Sequence, residues 1–152
     1  IRGSALKPSD DSPFVNQIFN PSFTDTIFNH SQERRVALFD VVANNADRKS
    51  GHCLVDERGR LFVVDHGVCF HVEPKLRTVI WDFAGEPVPQ RLLDDVSRLL
   101  RDADRMRRLV EDLRHYLDPS EIEAFFQRAH DALRRGHYPR LDPRRNVPWP
   151  LV

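Results

Sequence analysis

The chain has 152 residues, 40% of them hydrophobic, which is enough for one domain with a core. Its 23 basic and 23 acidic residues cancel, so no overall field attracts nucleic acid or an anionic membrane. No apolar run reaches the length of a membrane span and no signal-peptide core is visible, which favours a cytoplasmic location.

Residues 1–30 combine prolines and phenylalanines with small polar residues. This composition predicts an extended segment held by aromatic anchors. The opening Ile1-Arg2-Gly3-Ser4 is typical of an expression remnant or an internal cut. We therefore expect the folded domain to occupy residues 31–152.

A helix is predicted from Ser31, a residue type that favours the N-cap position. Apolar residues then surround the helix almost completely, which predicts a buried element: Val36, Ala37, Leu38, Phe39, Val41 and Val42. We expect Asp40, inside this apolar helix, to be a structural carboxylate that accepts hydrogen bonds from the loop that follows.

A polar loop over residues 44–52 leads into a predicted hairpin. Its strands are the apolar runs 53–55 and 61–64, separated by a Glu57-Arg58-Gly59 turn, and Asp65-His66-Gly67 closes the second strand. Asn44 and Asn45 are suited to capping the helix end. Cys53 and Cys69 lie in apolar contexts without metal-ligand spacing, which favours reduced, buried thiols.

The second half of the domain is predicted to be helical after an irregular segment, residues 71–88. A stripe with alternating steps of four and three predicts one long helix or two, and it consists of Leu92, Val96, Leu99, Ala103, Met106, Val110, Leu113 and Leu117. Asp118, Pro119 and Glu121 then predict a capped helix that ends at Gly136, followed by an extended proline-rich tail.

The polar loop carries the residue types that phosphoryl transfer needs: a base, hard oxygen ligands for magnesium and positive charge. Asp47 precedes His52 by five positions, and His52 precedes Asp65 by thirteen, with the hairpin between them. This is the order of base, metal ligand and metal carboxylate in kinase-like active sites.

The stretch from Asp40 to Arg48, read with Asp65-His66-Gly67, resembles the catalytic loop and metal motif of the phosphatidylinositol 3- and 4-kinase superfamily, in particular the type II 4-kinases. The chain also resembles an actinobacterial protein group related to these lipid kinases. In that group Asn-Asn-Ala-Asp-Arg-Lys, Asp-His-Gly-Val-Cys-Phe and a Pro-Trp-Pro tail recur. The resemblance runs from about Ser31 to the end.

This resemblance implies a mainly α-helical fold with one or more short β-hairpins, the C-lobe of a protein-kinase-like α+β domain, over residues 31–152. It makes Asp47 the catalytic aspartate and places Arg48 and Lys49 beside the phosphates. It assigns Asn45, His52 and Asp65 to cofactor binding, with Asp65 and His52 as metal ligands. The implied cofactors are ATP and Mg²⁺.

Two departures from the family pattern modify these expectations. His52 stands where these kinases place Asn, and imidazole suits Mn²⁺ better than Mg²⁺. No glycine-rich loop or strand-borne lysine precedes the catalytic helix, so we expect an ATP-covering N-terminal lobe to be missing from this chain.

The implied function is an ATP- and Mg²⁺-dependent phosphotransferase acting on a hydroxyl acceptor, lipid or protein. The alternative is a catalytically inactive kinase-like binding or scaffold domain. A helical interaction module that uses the stripe is a third interpretation, which leaves the polar loop unexplained. His71, Lys75 and Arg77 would meet an anionic acceptor or form an ordinary surface loop. His66 would be a core histidine or orient Asp65.

Overall fold

A computed structural model describes residues 30–150 of the chain. The predicted extended segment 1–30, with its opening tetrapeptide, lies outside the described residues apart from His30. The elements follow one another as α1 (His30–Ala43), a 3₁₀ turn (Ser50–His52), β1 (Cys53–Val55), β2 (Leu61–Val63), α2 (Gln90–Arg101), α3 (Ala103–Leu113) and α4 (Pro119–Arg135).

Helix α1 is the central element of the core, as its apolar sequence predicts. It packs on α4, and the core cluster comprises Ala37, Leu38, Val42, Phe83, Val88, Leu92, Ala129, Ala132 and Tyr138. The helix begins at His30, so Ser31 lies inside its first turn rather than before it. Phe39 alone of the predicted apolar set is exposed. Burial of α1 is therefore confirmed, with one face left open.

The predicted hairpin is confirmed as an antiparallel pair of three-residue strands, β1 and β2, in which Leu54 faces Phe62. Cys53 and Val55 point into the protein and are buried, because side chains alternate along a strand. Leu54 and Phe62 lie on the opposite face and are exposed.

The helical stripe is divided into two helices, α2 and α3, by Asp102. The backbone of Asp102 is extended, and its side chain accepts a hydrogen bond from the Arg105 amide at 2.9 Å, which caps α3. In α4 the predicted signals are confirmed. Asp118 and Glu121 form a reciprocal capping box, and Gly136 ends the helix in the left-handed region at φ 63°.

Between His30 and Pro150, none of the helices combines the length and the apolar character that a membrane span requires.

Candidate functional site

The polar loop begins where Asn44 leaves α1 in a left-handed conformation, φ 53°. The Asn44 side chain donates to the carbonyl oxygens of His71 at 2.8 Å and Glu73 at 2.7 Å, and it accepts from the Lys75 amide at 2.8 Å. Asn tolerates this backbone region, as the helix-end prediction requires. One side chain therefore holds segment 71–75 against the start of the loop.

Asp40 and Arg48 form a buried ion pair between α1 and the loop. Both residues are 0% exposed. Arg48 Nη2 lies 2.8 Å from Asp40 Oδ1, and Arg48 Nε lies 2.9 Å from Asp40 Oδ2. Burial by itself lowers the pKa of Arg48, but the hydrogen bond and the charge of Asp40 outweigh burial and raise it above its usual value. The prediction that Asp40 is a structural acceptor for the loop is confirmed.

The remaining donors of Arg48 bind the end of the hairpin. Nη1 donates to the Val64 carbonyl oxygen at 3.0 Å, and Nη2 lies 3.3 Å from His66 Nδ1. Since guanidinium only donates, that ring nitrogen accepts. His66 is itself exposed, and its ring packs edge-on against Phe39. It is therefore not a core histidine.

Asn45 is likewise inside the protein, at 0% exposure. Its amide nitrogen donates to Asp40 Oδ1 at 3.0 Å, and its oxygen accepts from the Asp47 amide at 3.0 Å. Arg48 was expected beside phosphates and Asn45 in cofactor binding. In the structure, the polar groups of both side chains form hydrogen bonds within the fold.

His52 and Asp65 are brought together by the hairpin, since His52 precedes β1 and Asp65 follows β2. Their closest atoms, Nε2 and Oδ2, are 3.4 Å apart, and the Val64 amide donates to the His52 carbonyl oxygen. The Lys49 amide approaches His52 Nδ1 at 3.5 Å. Asp65 adopts φ 56°, and its carboxylate is largely exposed.

Asp47 pairs with Lys49 instead, with Lys49 Nζ 3.1 Å from Asp47 Oδ2. Both side chains remain partly exposed. The predicted site residues thus separate into two open pairs, Asp47–Lys49 and His52–Asp65, and two buried structural residues. Among the residues that the structure describes, no group of three or more His, Cys, Asp or Glu could hold a metal ion.

Both cysteines are free thiols; Cys53 is buried as the sequence predicts, whereas Cys69 is only half-buried. Burial raises the pKa of Cys53 to about 12 and that of Cys69 to about 11. A thiol that stays protonated is a poor nucleophile and metal ligand.

Two residues that organise this region were missed by sequence reasoning. Arg128 of α4 donates from Nε to the Val42 carbonyl oxygen at 2.8 Å and from Nη1 to His71 at 3.1 Å. Gln32 of α1 binds the Gly59 carbonyl oxygen and the Leu61 amide. The position of Arg128 could have indicated a buried contact, because this charged residue lies between the apolar residues Phe125 and Ala129 in the sequence of α4.

Comparison with known proteins gives two different similarities. The family model for L-lysine 6-monooxygenase/L-ornithine 5-monooxygenase matches residues 1–55. The L-ornithine N(5)-monooxygenases of Burkholderia cepacia and Pseudomonas aeruginosa are each 55% identical to the chain, over 40 and 38 residues. These matches cover 26% and 25% of the chain and 9% of each relative.

The second similarity is to Protein Rv2133c of Mycobacterium tuberculosis, 44% identical over 118 residues. That match covers 77% of the chain and 41% of the relative, so the chain spans less than half of that protein's length. No solved structure matches the chain.

These findings correct the sequence interpretation. The family match and the ornithine monooxygenase relatives contradict the identification as a phosphatidylinositol kinase-like phosphotransferase. The predicted ATP, Mg²⁺ or Mn²⁺, phosphoryl acceptor and missing ATP-covering lobe lose their support with it. The physical reason is that a short loop motif was given a catalytic meaning, whereas two of its polar residues, Asn45 and Arg48, are buried to hold the loop.

Proposed function

We propose that this polypeptide takes part in N-hydroxylation of a diamino acid, the type of reaction that names the L-lysine 6- and L-ornithine 5-monooxygenases. The match of that family model to residues 1–55 carries the proposal. L-ornithine monooxygenase relatives that are 49–63% identical over segments of 35–46 residues support it. The whole protein's substrate, L-ornithine or L-lysine, is part of the proposal.

The chemistry of monooxygenation determines which reactants the full-length protein needs. One atom of O₂ is inserted into an N–H bond of the amine to give a hydroxylamine, and the other atom leaves as water. Two electrons and two protons balance the reaction. Flavins and nicotinamide nucleotides are the cofactors that carry such electrons.

Residues 30–150 do not fit a dinucleotide of that kind. The six glycines of the chain, at positions 3, 51, 59, 67, 85 and 136, nowhere form the Gly-x-Gly-x-x-Gly pattern that brings backbone against a pyrophosphate. The strands described are an antiparallel hairpin rather than the parallel sheet of a dinucleotide-binding fold. No step of the reaction is therefore assigned to these residues.

Asp47 and Lys49 stay predicted catalytic residues, and His52 and Asp65 stay predicted cofactor-binding residues. The cytoplasmic location and the kinase-like C-lobe fold also stay predictions.

The proposal is tested on the full-length protein, tagged in the cell that makes it and purified without denaturation. The preparation is supplied with FAD, NADPH and either L-ornithine or L-lysine, and products are followed by mass spectrometry. A product with one added oxygen atom, absent when NADPH is omitted, supports the proposal. A preparation that oxidises neither amino acid would remove it.

A further inference from the structure

Helix α3 buries its apolar side only in part. It contains no buried residue, and four of its apolar side chains are half-buried: Met106, Leu109, Val110 and Leu113. Its main packing partner is α2, which also packs against α4 and contributes Leu92 to the core. An amphipathic helix normally covers its apolar stripe with another element. Part of this stripe is therefore left open in the described part of the chain.

A groove follows one face of α3, where α2 ends and α3 begins. Its volume is about 410 Å³, and it is lined by both apolar and charged residues: Leu100, Arg101, Ala103, Met106, Arg107, Val110, Glu111 and Arg114. Met106 and Val110 lie four residues apart, so their side chains are neighbours on the surface of α3. With 11 residues, α3 is about 16 Å long, which corresponds to about three turns of a second helix. The groove therefore has the length and the apolar lining that suit one amphipathic helix.

The charged residues of the groove are mainly basic. Three arginines line it together with a single carboxylate, that of Glu111. Arg107 already has a partner, because its Nη2 lies 3.0 Å from Asp104 Oδ1. Arg101 ends α2 and Arg114 follows α3, and neither forms an ion pair with any residue between His30 and Pro150. The charge that complements this groove is therefore negative.

Two other occupants suit the groove less well. A second copy of the chain in a symmetric contact would bring the same excess of arginines against itself, because identical surfaces meet across a twofold axis. An anionic membrane would approach not only the arginines but also the carboxylates of Asp102, Asp104 and Asp112 in the same segment. A flat bilayer also does not follow a groove between two helices. An acidic protein helix meets neither obstacle.

We propose that the groove between α2 and α3 binds an acidic amphipathic α-helix of a partner protein. Apolar side chains of the partner helix pack against Met106 and Val110, and its carboxylates pair with Arg101 and Arg114. The groove shares no residue with the polar loop over residues 44–52, and its binding does not depend on N-hydroxylation.

A displayed library of helical peptides, each about 18 residues long, tests the proposal on the full-length protein. Every peptide carries the same leucine stripe, and the positions beside the stripe vary among glutamate, lysine, glutamine and serine. Selection should enrich glutamate at these positions. One enriched peptide is then synthesised, and its Kd is measured by calorimetry. Failure to enrich glutamate would overturn the proposal.

The double variant Arg101→Glu/Arg114→Glu should weaken binding of this peptide roughly tenfold, because each reversal replaces an attraction by a repulsion. Arg91→Glu/Arg108→Glu changes the net charge equally at exposed positions outside the groove, and its Kd should stay within about twofold of wild type. Both variants should keep the wild-type circular dichroism spectrum, since all four arginines are exposed.

Equal affinities of the two double variants would overturn the proposal. Two further measurements address the other occupants, namely binding to vesicles of anionic lipid and sedimentation of the full-length protein alone. Vesicle binding that only Arg101→Glu/Arg114→Glu abolishes would make the groove a membrane surface. A dimer that only this variant dissociates would make it a contact between copies. Either result would also overturn the assignment to an acidic partner helix.

Discussion

Arg48 and Asp40 lie eight residues apart in sequence and form an ion pair with no exposed surface on either residue. Around this pair the protein connects α1, the polar loop and the end of β2, since Asn45, Val64 and His66 all bond to one of its two members. The Asp40–Arg48 pair therefore has a structural role in the polar loop, although the sequence of this loop resembles that of a catalytic loop.

Arg48→Met should lower the free energy of unfolding by about 3–5 kcal/mol, because it leaves the Asp40 carboxylate buried without a charged partner. Urea unfolding followed by tryptophan fluorescence measures the loss. Arg58→Met, in the exposed hairpin turn, is the matched control and should stay within about 0.5 kcal/mol. A loss in Arg48→Met no larger than in the control would show that the pair does not hold the loop.

Tyr138→Phe should cost about 1 kcal/mol, the usual net value of a hydrogen bond inside a protein. The Tyr138 hydroxyl bonds the Arg34 carbonyl oxygen from a side chain only 5% exposed. Tyr116 is 86% exposed, so Tyr116→Phe serves as the control with no expected change. Equal midpoints for the two variants in urea would contradict the link between α1 and the residues after α4.

The sequence predicted the parts of this fold that depend on neighbouring residues. The capping box of Asp118 and Glu121, the stop at Gly136 and the hairpin all follow from local signals, and the structure confirms them. The sequence did not decide between one long helix and two helices divided at Asp102, because the apolar stripe continues through this residue. Local patterns alone therefore predicted the ends of α4 and the position of the hairpin.

The site was harder to predict because its contacts span long stretches of chain. The partners of Gln32 and Arg128 lie 27 to 86 residues away. No spacing reveals that Arg48 turns inward, since the same residue type in a loop is usually solvated. The family identification was wrong for the same reason, because it relied on a short motif whose residues have structural partners.

Asn44→Ala should loosen segment 71–75 in two ways, by removing three hydrogen bonds and by straining a backbone at φ 53°. Asn44→Gly removes the same bonds but keeps the left-handed conformation free of strain. We expect faster amide hydrogen exchange at Lys75 in both variants and a further loss of about 1 kcal/mol of stability in Asn44→Ala alone. Unchanged exchange at Lys75 would show that the Asn44 side chain is dispensable.

Alkaline pH should destabilise the protein through Cys53. Burial raises the pKa of Cys53 from 9.0 to about 12, so the unfolded chain loses this proton at lower pH than the folded protein does. Stability is therefore complete below pH 9.0 and falls as pH rises toward 12, by at most about 1.4 kcal/mol per pH unit from this group. Cys53→Ala should show a shallower fall between pH 9 and pH 10.5 in urea titrations. An identical slope would contradict a buried, protonated thiol.

The most direct test of the proposed N-hydroxylation uses isotopically labelled O₂ with the full-length protein, FAD, NADPH and L-ornithine or L-lysine. Monooxygenation predicts that the hydroxylamine product carries one labelled oxygen atom and that the second label appears in water. Unchanged amino acids, or a product whose oxygen is unlabelled, would contradict the proposed function.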